Sequence, residues 1–537
     1  MKRREFLQGS LTAGAAIPLA ARGTRSGSPV PSTSAPLSQP FELEEATVAT
    51  LREGMVSGKW TARSITEQYL ARIASIDRAG PMLNAVIELN PEAPAIADRL
   101  DQERQTRGPR SPLHGIPVLV KDNLDSGDRM ETTAGSLALA GSSAPKDSTV
   151  VERLRNAGAV LLGKTNLSEW ANYRSTNSTS GWSGRGGLTK HPYVLDRNAC
   201  GSSSGSGTAG AASLAAITIG TETDGSVVCP SSINGLVGIK PTVGLVSRAG
   251  IIPISATQDT AGPMCRTVTD AALVLTAIQG ADPRDPATRA IGTRRLPDYA
   301  TTLRPDGLKG VRLGIARHGF GLPSNVEPVL TEAIAALKAL GAVIVDPAEI
   351  PNVDKLGDPE GVILDFEFKA GIAAYLASRG PGFPMKTLAD LIAFNTANHA
   401  KEMPWFGQEI FERSVKKGPL TDPKYLAAVA ACRRLSRAQG IDAIMARHKL
   451  DALVALTAGA SWPTDLVNGD RYTGGCSTPA AVAGYPHVTV PGGWLHGLPV
   501  GLSFFGTAWS EGPLLRYAFA FEQATRHRRP PQFLPAL

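Results

Sequence analysis

The chain has 537 residues, 42% of them hydrophobic and 19% charged, with a formal net charge of +7. Apolar content on that scale builds a sizeable core and excludes a disordered chain. The small basic excess is scattered or sits near the two ends (Lys2, Arg3, Arg4; Arg526, Arg528, Arg529) rather than forming a dense face with interleaved aromatics, which argues against a nucleic-acid partner.

The N-terminus reads Met1-Lys-Arg-Arg-Glu-Phe-Leu-Gln and continues into an apolar stretch of small residues from Leu11 to Ala21. Paired arginines before such a stretch resemble a twin-arginine export signal, so residues 1–21 are expected to be a leader. Export machinery is then a partner, and the mature protein is periplasmic or secreted. An apolar run of that length is too short to span a bilayer, and no later window is long enough either, so no membrane span is expected. Residues 22–41 are rich in Ser, Pro and Gly and read as a disordered linker. Ordered sequence begins near Leu43, where apolar residues recur at helical spacing through Val48, Leu51 and Met55, and again through Ile65, Tyr69, Leu70 and Ile73.

From there, short apolar runs alternate with amphipathic stretches: helix 148–157, strand 159–163, helix 208–214, strand 215–220, strand 311–316, helix 326–340 and strand 342–346. The alternation predicts an α/β fold with a large mixed, mostly parallel β-sheet covered by helices on both faces, spanning residues 42–530 as one domain. The stretch 350–430, broken by several Pro and Gly, is the least regular and is expected to form a lid or substrate-facing insertion.

The run Gly115-Ile-Pro-Val-Leu-Val-Lys-Asp-Asn places Lys121 at the end of an apolar strand. An amine buried there loses hydration, its pKa falls, and it becomes a base. Spacing alone leaves open an ordinary surface lysine beside Asp122. Gly158-Ala-Val-Leu-Leu-Gly-Lys-Thr matches a phosphate-binding loop pattern, but Ala, Val, Leu and Leu in its middle predict a buried strand instead of a cradle.

The window Asn198-Ala-Cys-Gly-Ser-Ser-Ser-Gly-Ser-Gly-Thr could be a flexible linker by composition. It lies between apolar elements, however, where a floppy polar loop would strand backbone groups. Its glycines suggest backbone N–H groups brought close to a substrate oxygen. The loop Thr223-Asp224-Gly225-Ser226 follows, and its consecutive amides suit stabilisation of an oxyanion formed when a serine attacks a carbonyl. No histidine stands in a recognisable nucleophile-elbow context, so the base must be something else.

Five cysteines (Cys200, Cys229, Cys265, Cys432, Cys476) are too few and too spread for a disulfide framework, and their odd number leaves at least one thiol free. The eight histidines lack metal-ligand spacing, so neither a metal nor a cofactor is expected.

A strand-end lysine, a Gly-Ser-Ser cluster and a Thr-Asp-Gly-Ser loop in that order resemble the amidase signature family. Gly158 to Glu169, Gly235-Leu-Val-Gly-Ile-Lys-Pro-Thr and the stretch from Gly250 to Met264 fit the same pattern, which covers residues 43–525. The resemblance implies a Ser–Ser–Lys arrangement with the middle serine in a cis linkage. Carried over, it assigns Ser226 as nucleophile, Ser202 as proton relay and Lys121 as base, with the amides of Thr223, Asp224, Gly225 and Ser226 as oxyanion hole. Three serines follow Gly201, so Ser203 competes for the middle role; the spacing of Ser202 from Ser226 favours Ser202. Glu222, Asp224 and Val228 depart from the commonest family residues and bear on substrate choice. With the closing stretch from Pro499 to Ser510, this variant loop resembles the branch acting on peptide amides, so the implied activity is hydrolysis of a carboxamide C–N bond. The alternatives are the amidase component of a tRNA-dependent amidotransferase, and an inactive binding protein of the same fold.

Overall fold

Eleven strands pair into one sheet: β1 (Val86–Leu89), β2 (Pro117–Lys121), β3 (Val160–Thr165), β4 (Ile217–Glu222), β5 (Val237–Lys240), β6 (Thr260–Cys265), β7 (Arg312–Ile315), β8 (Val343–Val345), β9 (Ala452–Leu456), β10 (His487–Leu495) and β11 (Leu498–Phe505). They lie in the order β1-β3-β2-β4-β6-β5-β10-β11-β9-β7-β8, with helices on both faces. The computed structural model describes residues 41–537. The expected leader 1–21 and the linker 22–41, apart from Phe41, lie outside the described residues. Glu42–Leu537 clusters as one unit, which continues past residue 530.

The sheet is mixed. Its parallel pairs, β3–β2–β4 and β9–β7–β8, are where strands alternate with helices along the chain. Every other pairing, including the run β4-β6-β5-β10-β11-β9, is antiparallel, so parallel pairing is concentrated in these two blocks. The β10–β11 hairpin turns at His496 and Gly497, both at positive φ, the geometry whose twist matches a two-residue hairpin.

Local chemistry explains the elements that alternation predicts. Ser148 accepts from the Val151 amide and caps the helix Thr149–Asn156. The apolar run 160–165 is strand β3, buried throughout, and Lys164 points into the protein to donate to the Leu124 carbonyl and the Thr132 hydroxyl, so the phosphate-loop pattern is part of the sheet. The helix expected at 208–214 begins earlier. It is α1 (Ser204–Ala211), within the Ser/Gly cluster, because the helix packs against backbone there: a Cβ on Gly205 would lie 2.3 Å from the Ala85 carbonyl oxygen. Gly205 therefore serves close packing, while Gly201 lines a cavity that contains Ser226.

The stretch expected to be least regular is largely helical. A second short helix, α2 (Val228–Ile233), follows the Ser226 loop, and α3 (Gly357–Ser378) opens the segment before the helices Leu388–Ala397, Glu409–Ser414 and Pro423–Arg433. Phe368, Ile372 and Leu376, at i, i+4 and i+8 on α3, are fully buried with Trp170, Ile254 and Phe411. Each such side chain contributes about 1.5–3 kcal/mol relative to exposure. This packing seats the segment on the core beside Ile252 and Ile254.

Candidate active site

Lys121 closes β2, whose five residues are all buried between the parallel neighbours β3 and β4. Val120 pairs with Ile219, which brings the lysine to the end of β4. Its Nζ lies 2.8 Å from Ser202 Oγ, 3.0 Å from Thr221 Oγ1 and 3.3 Å from the Thr221 carbonyl oxygen. Asn123 Nδ2 donates to the same Thr221 hydroxyl at 2.9 Å. Burial dominates the amine's titration: loss of hydration lowers its pKa from 10.5 to about 7, against the opposing pull of the Asp259 and Glu222 carboxylates. The surface-lysine alternative is thereby removed.

Ser202 follows Gly201 through a cis peptide bond and is fully buried. Ser203 is engaged elsewhere: its hydroxyl donates to the Thr221 carbonyl and accepts from the Thr221 amide. Of the two competing serines, only Ser202 meets the amine.

Ser226 sits in the turn after β4. The Ser203 amide donates to its carbonyl at 3.3 Å, so the two serine loops touch. Its side chain is half-buried, and its hydroxyl has no hydrogen-bond partner among the described residues. Gly225 takes φ +82°, a conformation that favours glycine and turns the chain sharply. Among the described residues, the amides of Thr223, Asp224, Gly225 and Ser226 find no acceptor within the protein. Glu222 Oε2 accepts from the Val227 and Val228 amides at 2.8 and 2.9 Å, anchoring the start of α2 behind the turn. The Asp224 carboxylate accepts from Thr478; burial pushes its pKa up and, with the Asp224 charge, raises Glu360 to about 8.

One covalent link joins the two serine loops. Cys200, two residues before Ser202, forms a disulfide with Cys229, three residues after Ser226; Cys265, Cys432 and Cys476 are free and buried. The cysteine count leaves thiols free, as expected, but sequence reasoning missed this pair. The signal was present in the sequence: each partner stands beside a serine that had to approach the other. Thr221, Asn123 and Asp259 were also missed, because only the fold gathers them around the amine.

A cavity of about 510 Å³ opens in front of Ser226, lined by Tyr173, Trp462 and Tyr472 together with Ser180, Ser477 and Thr478. A second cavity of about 350 Å³ reaches Ser202 instead, and both share Ala171, Thr223 and Ile254. Four of the residues meeting these cavities, Leu364, Glu367, Ala370 and Gly371, come from α3, which places the 350–430 segment at the site as the sequence led one to expect.

The family model for amidases matches residues 64–515. Among curated relatives, a probable amidase of Arabidopsis thaliana is 42% identical over 93% of this chain and 93% of its own length. A putative amidase of Schizosaccharomyces pombe is 36% identical over 93% of this chain and 88% of its own, and a glutamyl-tRNA(Gln) amidotransferase component of Caldanaerobacter subterraneus is 34% identical over 92% of this chain and 99% of its own. The crystal structure of native peptide amidase from Stenotrophomonas maltophilia superposes with a TM-score of 0.88 at 51% identity, covering 92% of this chain and 100% of that one. With the fold, the site and these likenesses agreeing, the chain belongs to the amidase signature family and is an amidase.

Proposed function

We propose that this enzyme removes the C-terminal amide of peptides, outside the cytoplasm, through an acyl-enzyme on Ser226. The observation that carries the reading is the dry amine of Lys121, lowered to about 7 and 2.8 Å from Ser202 Oγ. A neutral amine has two N–H donors and one lone pair. Three partners surround it: two oxygens of Thr221, which suit the donors, and the Ser202 hydroxyl, whose proton suits the lone pair.

When an amide occupies the cavity, Lys121 draws the Ser202 proton, Ser202 draws the Ser226 proton, and Ser226 Oγ bonds to the carbonyl carbon. The oxyanion meets the amides of Thr223, Asp224, Gly225 and Ser226. The proton returns through Ser202 to the nitrogen as the C–N bond breaks and ammonia leaves. Water then attacks the acyl-enzyme and releases the acid. The hydroxyl of Ser226 stands free before substrate binds, which accords with catalytic hydrogen bonds that close only in the complex.

The peptide substrate is supported by the size and aromatic, hydroxyl-rich lining of the 510 Å³ cavity and by the likeness to peptide amidase. Export is supported by Arg3-Arg4 with the apolar stretch behind them, and by a disulfide, which persists in oxidising compartments. The test is ammonia release from an N-blocked dipeptide amide by the purified mature protein, with Ser226→Ala alongside. The wild type is expected to turn over, and the variant to lose about 10⁴-fold or more at unchanged melting temperature. Turnover retained in Ser226→Ala overturns the nucleophile, and a wild type that hydrolyses free amino-acid amides but no peptide amide overturns the substrate class.

A further inference from the structure

The 350 Å³ cavity is larger than the release of ammonia requires. Its position relative to the two serines is informative. It contains Ser202 and excludes Ser226, whereas the larger cavity contains Ser226 and its loop and excludes Ser202. In acyl transfer through this triad, Ser202 returns the proton to the departing nitrogen. The nitrogen must therefore leave on the face that Ser202 presents, toward the smaller chamber, while the acyl portion stays with Ser226 in the larger one.

The chamber's walls define what it holds. Ala171, Ile251, Ile252, Pro253 and Ile254 make one side of it. Four of the charged groups around it are already engaged. Arg248 forks onto Asp285 at 2.6 and 2.8 Å; Asp259 accepts from Thr223 and from the Ile254 and Ser255 amides; Glu367 accepts from Ser255, Thr257 and Tyr425. With these four groups engaged and five apolar residues along one side, the space suits apolar surface. Its outer end is framed by Ala370 and Gly371 of α3 and by Leu420, which is 37% exposed, so it opens toward solvent through its own mouth.

We propose that this chamber is a leaving-group subsite and that the enzyme also cleaves secondary amides whose nitrogen carries an apolar alkyl or aryl substituent. The inference rests on the Ser226–Ser202–Lys121 reading and extends its substrate class. The chemistry balances as before: the Ser226 O–C bond forms, the C–N bond breaks, the proton from Ser226 passes by way of Ser202 to the nitrogen, and water completes hydrolysis to an acid and a primary amine instead of ammonia.

The experiment uses the mature protein and one N-blocked dipeptide presented as its primary amide and as its anilide. Ala370→Trp and Leu420→Trp, both at the chamber's mouth and outside the catalytic groups, are the plugging variants. The wild type is expected to cleave both substrates, and either variant to lose about tenfold or more in kcat/KM on the anilide while staying within about twofold on the primary amide. A wild type that cleaves only the primary amide overturns the inference and leaves the peptide-amide reading standing; cleavage of neither brings down that reading, and the inference with it. Variants that lose both activities equally, or neither, overturn the assignment of the chamber. So does a loss that tracks the bulk of the C-terminal side chain, because the chamber would then hold part of the acyl group.

Discussion

A base lowered to about 7 makes the rate of this enzyme depend steeply on pH in a range where an ordinary lysine is silent. With a midpoint there, about a tenth of the molecules carry a neutral Lys121 at pH 6, about half at pH 7 and about nine-tenths at pH 8. An unshifted amine at 10.5 would be neutral in about one molecule in 3000 at pH 7. The profile of kcat/KM on an N-blocked peptide amide, which has no titrating group of its own in this range, should rise about tenfold per pH unit below 7 and level off above it. The direction follows from the depressed value: protonation removes the base, so activity is lost as pH falls. A second perturbation tests the origin of the shift. Asp259, itself raised to about 6 by burial, is the leading charge that holds the lysine up; Asp259→Asn removes that charge while an amide oxygen can still accept from the Ile254 and Ser255 amides. The midpoint should move to lower pH. A wild-type profile that is flat from pH 6 to 8, or that rises only near 10, refutes the assignment of Lys121 as the base, and an upward shift in Asp259→Asn refutes the electrostatic account.

Two further outcomes follow from the structure. Cys200 and Cys229 are 29 residues apart, so Cys229→Ser should cost about 3–4 kcal/mol of unfolding free energy, with the wild type in reductant approaching the variant; coincident denaturation curves with and without reductant would show that no bond exists. Glu402 holds the 350–430 segment to the core through the Leu137 amide and sits against the buried Glu169, which pairs with Arg174 at 2.9 Å. Burial raises both carboxyls, Glu169 well above 4.5, so the stability they contribute is present at low pH and lost as pH rises through those values. Glu402→Gln should flatten that loss, and urea midpoints at pH 5 and pH 9 that change equally in wild type and variant would exclude the pair as its source.

Much of this was readable from residues alone, for identifiable reasons. Lys121 ends an uninterrupted apolar run, and such a run is buried whatever surrounds it, so desolvation of its last side chain was foreseeable. Ser202 and Ser226 came from resemblance, since nothing in a Ser/Gly-rich window states which hydroxyl faces which neighbour; the choice between Ser202 and Ser203 follows from Thr221, which occupies the latter. The region 350–430 looked irregular because Pro and Gly punctuate it, yet some of them fall between helices, as at Gly380, Pro381 and Gly382 after α3, while Pro359 and Pro423 stand in first turns, where a missing N–H costs nothing, and Gly361 and Gly371 are carried within α3. The central antiparallel pairings were hidden because strand partners such as β4 and β6 are separated in sequence by β5, and alternation does not report pairing direction.

The alignment of β2 against β4 also sets a limit on how the chain can change. Side chains along a strand alternate between faces, so deleting or inserting one residue between Gly115 and Lys121 would send the amine to the opposite side, away from Ser202 and Thr221. Loops elsewhere can lengthen or shorten at little cost, but this short segment tolerates substitution far better than a change of length. Variation in length among natural or engineered descendants should therefore avoid it.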